Sequence, residues 1–420
     1  MMNMKKIFAM TAVMLSLAAF TSCSKEKLEA EDDSDIDNTY VPITLTKAER
    51  AVANNANKFA FDVYRGLYED KQMLVSPLSL SLALSMTACG ADGNTATQMS
   101  HVLGFDECST DDVASYYHTM VTSLATIDKK TTFESANSIW IANGFPVRED
   151  FKSTAREYFA AEERLVSFKD PATVDAVNKW CSEKTHEKIP KMVDKFSPDC
   201  VMALINALYF NGRWGIDFNE KTQKEKFTTI DGNDVKVDMM SAEHLLNYSS
   251  VDGWAMVEVP YGNGAFQMEV ILPPEGMAFG KAAGALDMAL WNKLRSGVRA
   301  HPVDLKIPEF KFEYEAKELS DALRALGMVD AFSSCADFSK MADIANGDAL
   351  YIGEVRQKAF IDVNTKGTEA AAVTIVEMSF ATAIPSAPPS KVEFIADRPF
   401  FFIIREVSTD SILFIGQKVK

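Results

Sequence analysis

The five histidines are the side chains of this sequence best suited to proton transfer near neutral pH. They lie far apart, at positions 101, 118, 186, 244 and 301. His186-Glu187 has no second histidine four residues after the first, which a zinc-peptidase helix requires. The sequence also lacks a serine nucleophile elbow, a phosphate-binding loop and a dinucleotide-binding glycine motif. This pattern predicts surface or capping histidines and no enzyme activity.

The six cysteines could form disulfides or bind a metal, but their spacing favours neither. They lie at positions 23, 89, 108, 181, 200 and 335, with no pair in CxxC spacing. Six cysteines in 420 residues are also too few for a fold held together by disulfides. We therefore expect no metal and no cofactor.

The charge balance excludes one class of partner. The 420 residues carry a formal net charge of −16, so a nucleic-acid binder is not expected. Lys184, Lys188, Lys191 and Lys195 are spaced as on one helix face, with acidic residues between them. They predict a solvated helix face rather than a site for a polyanion.

The N-terminus is typical of an export signal. Lys5 and Lys6 precede an apolar run over residues 7–20, and the sequence FTSC then ends at Cys23. This order resembles a bacterial lipoprotein signal over residues 1–22, with Cys23 as the lipidated first residue of the mature chain. The alternative is an ordinary secretory signal cleaved near Ser22. We expect an exported, membrane-anchored protein, at the outer membrane or cell surface.

Two further parts follow the signal. Residues 23–42 are polar and acidic, with few large apolar side chains, so they predict a disordered tether. Residues 43–420 predict one α+β domain. Apolar residues at three- and four-residue steps indicate helices in its first part, and alternating runs such as residues 255–259 and 266–272 indicate strands from residue 227 onward.

An unusual segment lies at residues 362–399. Residues 368–380 alternate as a strand does, with an uncharged face and a face that carries Glu369 and Glu377. Residues 381–390 contain three prolines and predict an exposed extended loop. The segment is either a strand followed by a linker or a loop that is able to become a strand.

Motifs in order along the chain identify a family. From about residue 45 to residue 420 the sequence resembles the serpins. The motifs are residues 76–80 (SPLSL), 90–98 (GADGNTATQ), 177–180 (VNKW) with Thr185, Lys188 and Ile189, 204–214 (LINALYFNGRW), 326–328 (LGM), 336–339 (ADFS), 358–360 (KAF) and 398–400 (RPF).

The resemblance implies a serpin fold of three β-sheets and eight or nine helices, with an exposed reactive-centre loop at about residues 365–391. It also implies a suicide inhibitor of serine peptidases. The target attacks the loop, and the cleaved loop then inserts into the main sheet while the acyl-enzyme is still attached. The expected partners are a target serine peptidase, bound covalently, and a membrane through the lipid anchor. We expect a monomer.

The resemblance also assigns site residues. The hinge of an inhibitory serpin matches Gly367, Thr368, Glu369, Ala370, Ala371, Ala372, Val373 and Thr374. Ser76, Ser79, Asn206 and Gln357 are expected to form the polar shutter beneath the sheet. Gln357 stands where the family usually has histidine, and an amide can donate and accept as a neutral imidazole does. Trp214 matches the breach, the end of the sheet where the loop enters.

The usual register counted from Gly367 places the reactive bond at Ala381–Thr382. A small Ala381 suits an elastase-like primary pocket. Phe380–Ala381, one residue earlier, would suit a chymotrypsin-like pocket. Subtilisin-like and papain-like targets are further alternatives, and a non-inhibitory surface-binding lipoprotein is the alternative from another class.

Overall fold

Helices make up most of the first part of the domain and strands most of the rest. The computed structural model describes residues 38–197, 199–344, 349–367 and 390–420. Within these ranges the α-helices are α1 (Lys47–Gly66), α2 (Pro77–Ala88), α3 (Gly93–Leu103), α4 (Thr110–Leu124), α5 (Glu149–Phe159), α6 (Pro171–Lys184), α7 (Phe279–Ala285), α8 (Met288–Ser296) and α9 (Leu319–Leu326).

The strands of the same ranges form three sheets. They are β1 (Met73–Val75), β2 (Thr131–Ala142), β3 (Ala161–Val166), β4 (Met202–Gly212), β5 (Gln223–Thr228), β6 (Asp234–Val251), β7 (Trp254–Tyr261), β8 (Phe266–Leu272), β9 (Arg299–Pro308), β10 (Phe310–Ala316), β11 (Gln357–Val363), β12 (Val392–Ile395), β13 (Phe400–Glu406) and β14 (Ile412–Lys418). Within the described residues, nine α-helices and three sheets confirm the predicted α+β architecture.

Two of the sheets are small and one is large. The large sheet has the order β1-β14-β13-β8-β7-β6-β9-β12, with β5 paired to β6. The second sheet has the order β3-β2-β4, and the third is the antiparallel pair β10-β11. One large apolar cluster joins helices and strands of all three sheets. A smaller cluster lies between α6 and the strands β2 and β4, around Trp180 and Ile205.

Local sequence explains where several helices begin. Thr46 and Glu49 form a reciprocal capping box at the start of α1. Ser76 and Asp170 cap α2 and α6, and each is followed by a proline at the first helical position. No helix within the described ranges is both long and apolar enough to cross a membrane.

The prediction that four lysines share one helix face was wrong, because only Lys184 lies in a helix. Helix α6 ends at Lys184, and Lys188, Lys191 and Lys195 lie in the segment that follows. His186 and Glu187 have φ values of 48° and 63°, so the chain leaves the helical conformation there. Periodicity alone could not show this ending.

A lysine is buried at the end of the last strand. Lys418 is 6% exposed, and its Nζ lies 5.1 Å from the centroid of the Phe227 ring. Burial lowers the pKa of Lys418 from 10.5 to about 8, because the charged form loses its hydration. The folded protein therefore binds fewer protons than the unfolded chain between about pH 8 and pH 10.5.

This burial predicts a stability that rises with pH across that window. Below pH 8 the cost of the buried charge is fully present, and above pH 10.5 it is absent. Lys418→Met is expected to raise the free energy of unfolding by roughly 1–3 kcal/mol at pH 7 and to have little effect near pH 10.5. Denaturant titrations at both pH values measure this, with the exposed Lys420→Met as the control. An equal gain at both pH values would contradict the assignment to charge.

Candidate functional site

The edges of the two small sheets face each other across a cleft. Leu208, Tyr209 and Phe210 of β4 and Phe360 and Asp362 of β11 line this inter-sheet cleft. Its remaining walls come from the segment after α6, at Thr185, Lys188 and Ile189. No strand of the described ranges lies between β4 and β11. The cleft is therefore a place where two strand edges could accept a strand.

Gly367 occupies one end of this cleft. It forms an antiparallel bridge to Arg213, just beyond β4, and another to Asn364, just beyond β11. The Asn364 bridge has two backbone hydrogen bonds of 3.1 Å. Gly367 thus has a strand neighbour on each side, as an internal residue of a sheet does.

Only glycine suits this position. Gly367 has a φ of 123°, which L side chains rarely adopt. A Cβ atom there would lie 2.4 Å from the carbonyl oxygen of Gly212 and 2.6 Å from the Cα atom of Arg213. The close approach of the backbones explains why the first residue of the predicted hinge is a glycine.

Trp214, the predicted breach residue, lies beside Gly367. Its Nε1 donates a 2.9 Å hydrogen bond to the carbonyl oxygen of Asn364. Its ring stacks on Tyr261, with 4.4 Å between centroids and 11° between planes. Residues 212–214, 364 and 367 therefore meet here, and we call them the breach.

The four predicted shutter residues lie in one hydrogen-bonded network. Gln357 Oε1 accepts from the Ser76 backbone N–H at 2.9 Å, and Gln357 Nε2 donates to the Ser76 carbonyl at 2.8 Å. Ser79 Oγ donates to Asn206 Oδ1. The two pairs meet where the Ser79 N–H donates to Ser76 Oγ at 3.4 Å. The network links α2 to both β4 and β11, the strands that border the cleft.

Sequence reasoning missed one member of this network. Asn137 of β2 accepts from Asn206 Nδ2 at 2.7 Å and donates to the Phe159 carbonyl at 2.7 Å. Asn137 is 1% exposed, so its amide is a fully buried polar group with satisfied partners. It lies 69 residues from Asn206 in the chain, and no local pattern marks it.

The described residues resume at Ser390, just before β12. Strand β12 pairs in parallel with β9 and has only four residues. Lys391 precedes it, and its Nζ lies 2.9 Å from Glu243 and 3.7 Å from Asp304. The hydrogen bond that Lys391 donates to Glu243 raises the pKa of Lys391. These contacts hold the start of this segment on the large sheet.

Several predicted residues fall outside the described ranges. They are Thr368, Glu369, Ala370, Ala371, Ala372, Val373 and Thr374 of the hinge, Phe380, Ala381 and Thr382 of the reactive bond, and Cys23. Within the part that is described, no group of three or more His, Cys, Asp or Glu residues is placed to hold a metal ion.

Comparison with known proteins identifies the family. The model of the family "Serpin (serine protease inhibitor)" matches residues 54–420. An uncharacterized serpin-like protein of Methanosarcina acetivorans is 31% identical, over 99% of this chain and 98% of its own length. Neuroserpin of Gallus gallus is 31% identical, over 85% of this chain and 88% of its own length.

Solved structures agree with the sequence relatives. The thermophilic serpin tengpin in its native state is 33% identical, with a TM-score of 0.79, over 91% of this chain and 97% of that chain. Its latent state gives a TM-score of 0.76 at 33% identity, over 90% of this chain and all of that chain. The serpin fold expected from the sequence is confirmed, and the chain belongs to the serpin family, whose members are generally peptidase inhibitors.

Proposed function

We propose that this protein is a suicide inhibitor of serine peptidases that inserts its cleaved loop between β4 and β11. The observation that carries the proposal is the position of Gly367. It is already bridged to both sides of the cleft, as the first residue of an antiparallel strand between them would be. A chain that continued from it in the same direction would fill the cleft.

The two bridges define a register for that strand. On the β4 side, Gly367 lies opposite Arg213. An antiparallel strand that continued from it would have Thr368 opposite Gly212 and residue 378 opposite Met202, the first residue of β4. On the β11 side, Gly367 lies opposite Asn364. The same strand would have Thr368 opposite Val363 and Thr374 opposite Gln357, the first residue of β11. The edge of β4 that has no strand partner among the described residues is therefore long enough for eleven residues after Gly367.

The side-chain pattern of the loop fits this register. Residues directly opposite in adjacent strands share a face. Thr368, Ala370 and Ala372 would share the face of Val363, Ile361 and Ala359, which belong to the main core. Glu369 would share the opposite face with Asn211 and Asp362, which are partly exposed. The uncharged face of the segment would thus be buried, and its glutamates would stay toward solvent.

The shutter would take part in the same movement. In this register Thr374 arrives between Asn206 of β4 and Gln357 of β11. Both amides lie in the buried network, so a polar side chain that reaches them can hydrogen-bond. An apolar side chain at position 374 would leave these groups without a new partner.

In this mechanism the serine Oγ of the peptidase attacks the carbonyl carbon of Ala381, and the amine of Thr382 leaves. An ester then joins Ala381 to the peptidase. Residues 368–378 insert beside β4, and residues 368–381 together carry that ester over about 46 Å at ~3.3 Å per residue. Distortion of the peptidase active site at the far end would stop hydrolysis of the ester.

We expect an SDS-stable complex with an elastase-like peptidase, because Ala381 suits a shallow primary pocket. Mass spectrometry of the released C-terminal peptide is expected to show a new N-terminus at Thr382. A start at Ala381 would instead favour the chymotrypsin-like alternative. The absence of any covalent complex with elastase-like, chymotrypsin-like, subtilisin-like and papain-like peptidases would contradict inhibition.

Trypsin provides the matched negative control for this experiment. No lysine or arginine lies between Gly367 and Lys391. Lys391 itself is ion-paired with Glu243 and Asp304 at the base of the loop. Efficient covalent trapping of trypsin at Lys391 would overturn the proposed position of the reactive bond.

We also propose that Cys23 carries a lipid that tethers the inhibitor to a membrane. The support is the order of charged, apolar and small residues that ends at this cysteine. Metabolic labelling with a fatty-acid analogue is expected to mark the wild type and not Cys23→Ala. Cys335→Ala, which removes an exposed cysteine of the folded domain, is the control and should retain the label. Equal labelling of wild type and Cys23→Ala would contradict lipidation.

A further inference from the structure

Asp128 is a buried carboxylate in the turn between α4 and β2. It is 3% exposed, and hydrogen-bond donors surround it. Oδ1 accepts from Asn38 Nδ2 at 2.8 Å and from the Lys130 N–H at 2.9 Å. Oδ2 accepts from Thr131 Oγ1 at 2.6 Å and from the Asn263 N–H at 3.3 Å. The carboxylate therefore joins three separate parts of the chain.

One of these parts is the turn between β7 and β8. Asn263 is held twice, because its Nδ2 also donates to the Ile127 carbonyl at 2.9 Å. Asp128 lies directly beneath Gly262, where a Cβ atom would be 1.8 Å from Oδ2. The Gly262 N–H in turn donates to the Arg213 carbonyl at 2.8 Å. The turn therefore connects Asp128 to Arg213 of the breach through hydrogen bonds.

A second route runs through β2. Thr131, which donates to Asp128, is the residue of β2 directly opposite Gly212 in β4. Arg213 is bridged to Gly367, and the backbone atoms of Gly212 and Arg213 are the nearest to where a Cβ atom of residue 367 would lie. Asp128 is therefore connected to the breach by two routes, and none of these four hydrogen bonds involves Gly367.

We infer that Asp128 is a positioning residue that holds the β4 side of the breach in place and so limits the rate at which a strand enters the inter-sheet cleft. The inference rests on the proposed insertion of the loop and names a residue that controls it. Its basis is the two-way connection from one buried carboxylate to Gly212 and Arg213.

Asp128→Asn tests the inference with almost no change of volume. The four hydrogen bonds described above all come from donors, so in either orientation the amide loses the Lys130 or the Asn263 backbone donor. The probe is a synthetic peptide with the sequence of residues 368–379, incubated with the intact protein. We expect uptake of the peptide to be roughly 5- to 30-fold faster in Asp128→Asn than in wild type.

Glu49→Gln is the matched control. Glu49 is also a buried carboxylate, 5% exposed, but it accepts from Thr46, Ser115 and Thr119 in α1 and α4. The Glu49→Gln variant should have a lower melting temperature than wild type but should not take up the peptide faster. Thr131→Val is a milder second variant, which removes one bond to Asp128 and keeps the branched shape. It should accelerate uptake in the same direction by a smaller factor.

Hydrogen exchange separates this inference from the proposed function. Asp128→Asn is expected to speed amide exchange in residues 209–215 and 260–264, whether or not a strand enters the cleft. Peptide uptake by wild type together with equal or slower uptake by Asp128→Asn would overturn the positioning role alone. If wild type takes up no peptide, the insertion mechanism fails, and unchanged exchange at the breach would overturn the role of Asp128 as well.

Discussion

Cleavage of the loop between residues 375 and 385 is expected to raise the melting temperature of the protein by about 10–20 °C. The intact chain leaves one edge of β4 and one edge of β11 without a strand partner among the described residues, apart from the bridges at Gly367. A released segment that enters the cleft would add backbone hydrogen bonds to both edges. It would also bury apolar side chains of its uncharged face against the main core.

Calorimetry of the intact and cleaved forms measures this shift. The control is intact protein incubated with peptidase whose active-site serine has already been blocked, which should melt as the untreated protein does. Because the melting temperature of a protein that unfolds irreversibly depends on the heating rate, both forms are compared at several scan rates. A cleaved form that melts at or below the intact one would contradict insertion of the loop.

Much of the fold could be predicted because its signals are local. The turn at residues 261–264 lies between two alternating runs, and the structure has β7 and β8 on either side of it. Such patterns arise from the burial of one or both faces of a single element, which its own sequence reports.

The end of α6 illustrates what the sequence could not show. Lysine spacing continues in helical steps beyond Lys184, but the chain turns away from the helix at His186. Asn178 holds the segment after the helix, because its Oδ1 accepts from the N–H groups of Met192 and Val193. This contact depends on tertiary folding, so a helical period cannot reveal where the helix stops.

Some residues of the candidate site could likewise be predicted from the sequence, and others could not. Gly367 and the shutter residues were assigned through motifs that the family shares, and the structure brings the shutter residues together. Asn137 and Asp128 were missed because their partners lie 69 and 135 residues away. Those partners are fixed by the register of β2 with β4 and by the packing of a turn, neither of which a single sequence specifies.

Thr368→Arg is expected to convert the inhibitor into a substrate. In the register set by Gly367, residue 368 arrives between Gly212 and Val363, which are both buried. An arginine there would place a charge in the core without a carboxylate opposite it in either strand, at a cost of several kcal/mol. Insertion of the loop would then be slower than hydrolysis of the acyl-enzyme, so the peptidase would be released and the inhibitor cleaved.

Glu369→Arg is the matched control, because it places the same side chain one residue further along. Residue 369 would share the outer face with Asn211 and Asp362, where a guanidinium stays near solvent and beside a carboxylate. We expect Glu369→Arg to form covalent complex nearly as wild type does. Thr368→Arg should reduce the fraction trapped by about tenfold or more, since each 1.4 kcal/mol changes a rate ratio tenfold.

Gel densitometry of the covalent complex and of the cleaved inhibitor, at equal amounts of peptidase, measures the fraction of inhibitor that traps the peptidase. The comparison of neighbouring positions tests the register itself, because a shift by one residue would exchange the two faces. Equal trapping by Thr368→Arg and wild type would show that residue 368 does not enter the core. A loss confined to Glu369→Arg would show that the strand enters in the opposite register, with its charged face toward Val363 and Ile361.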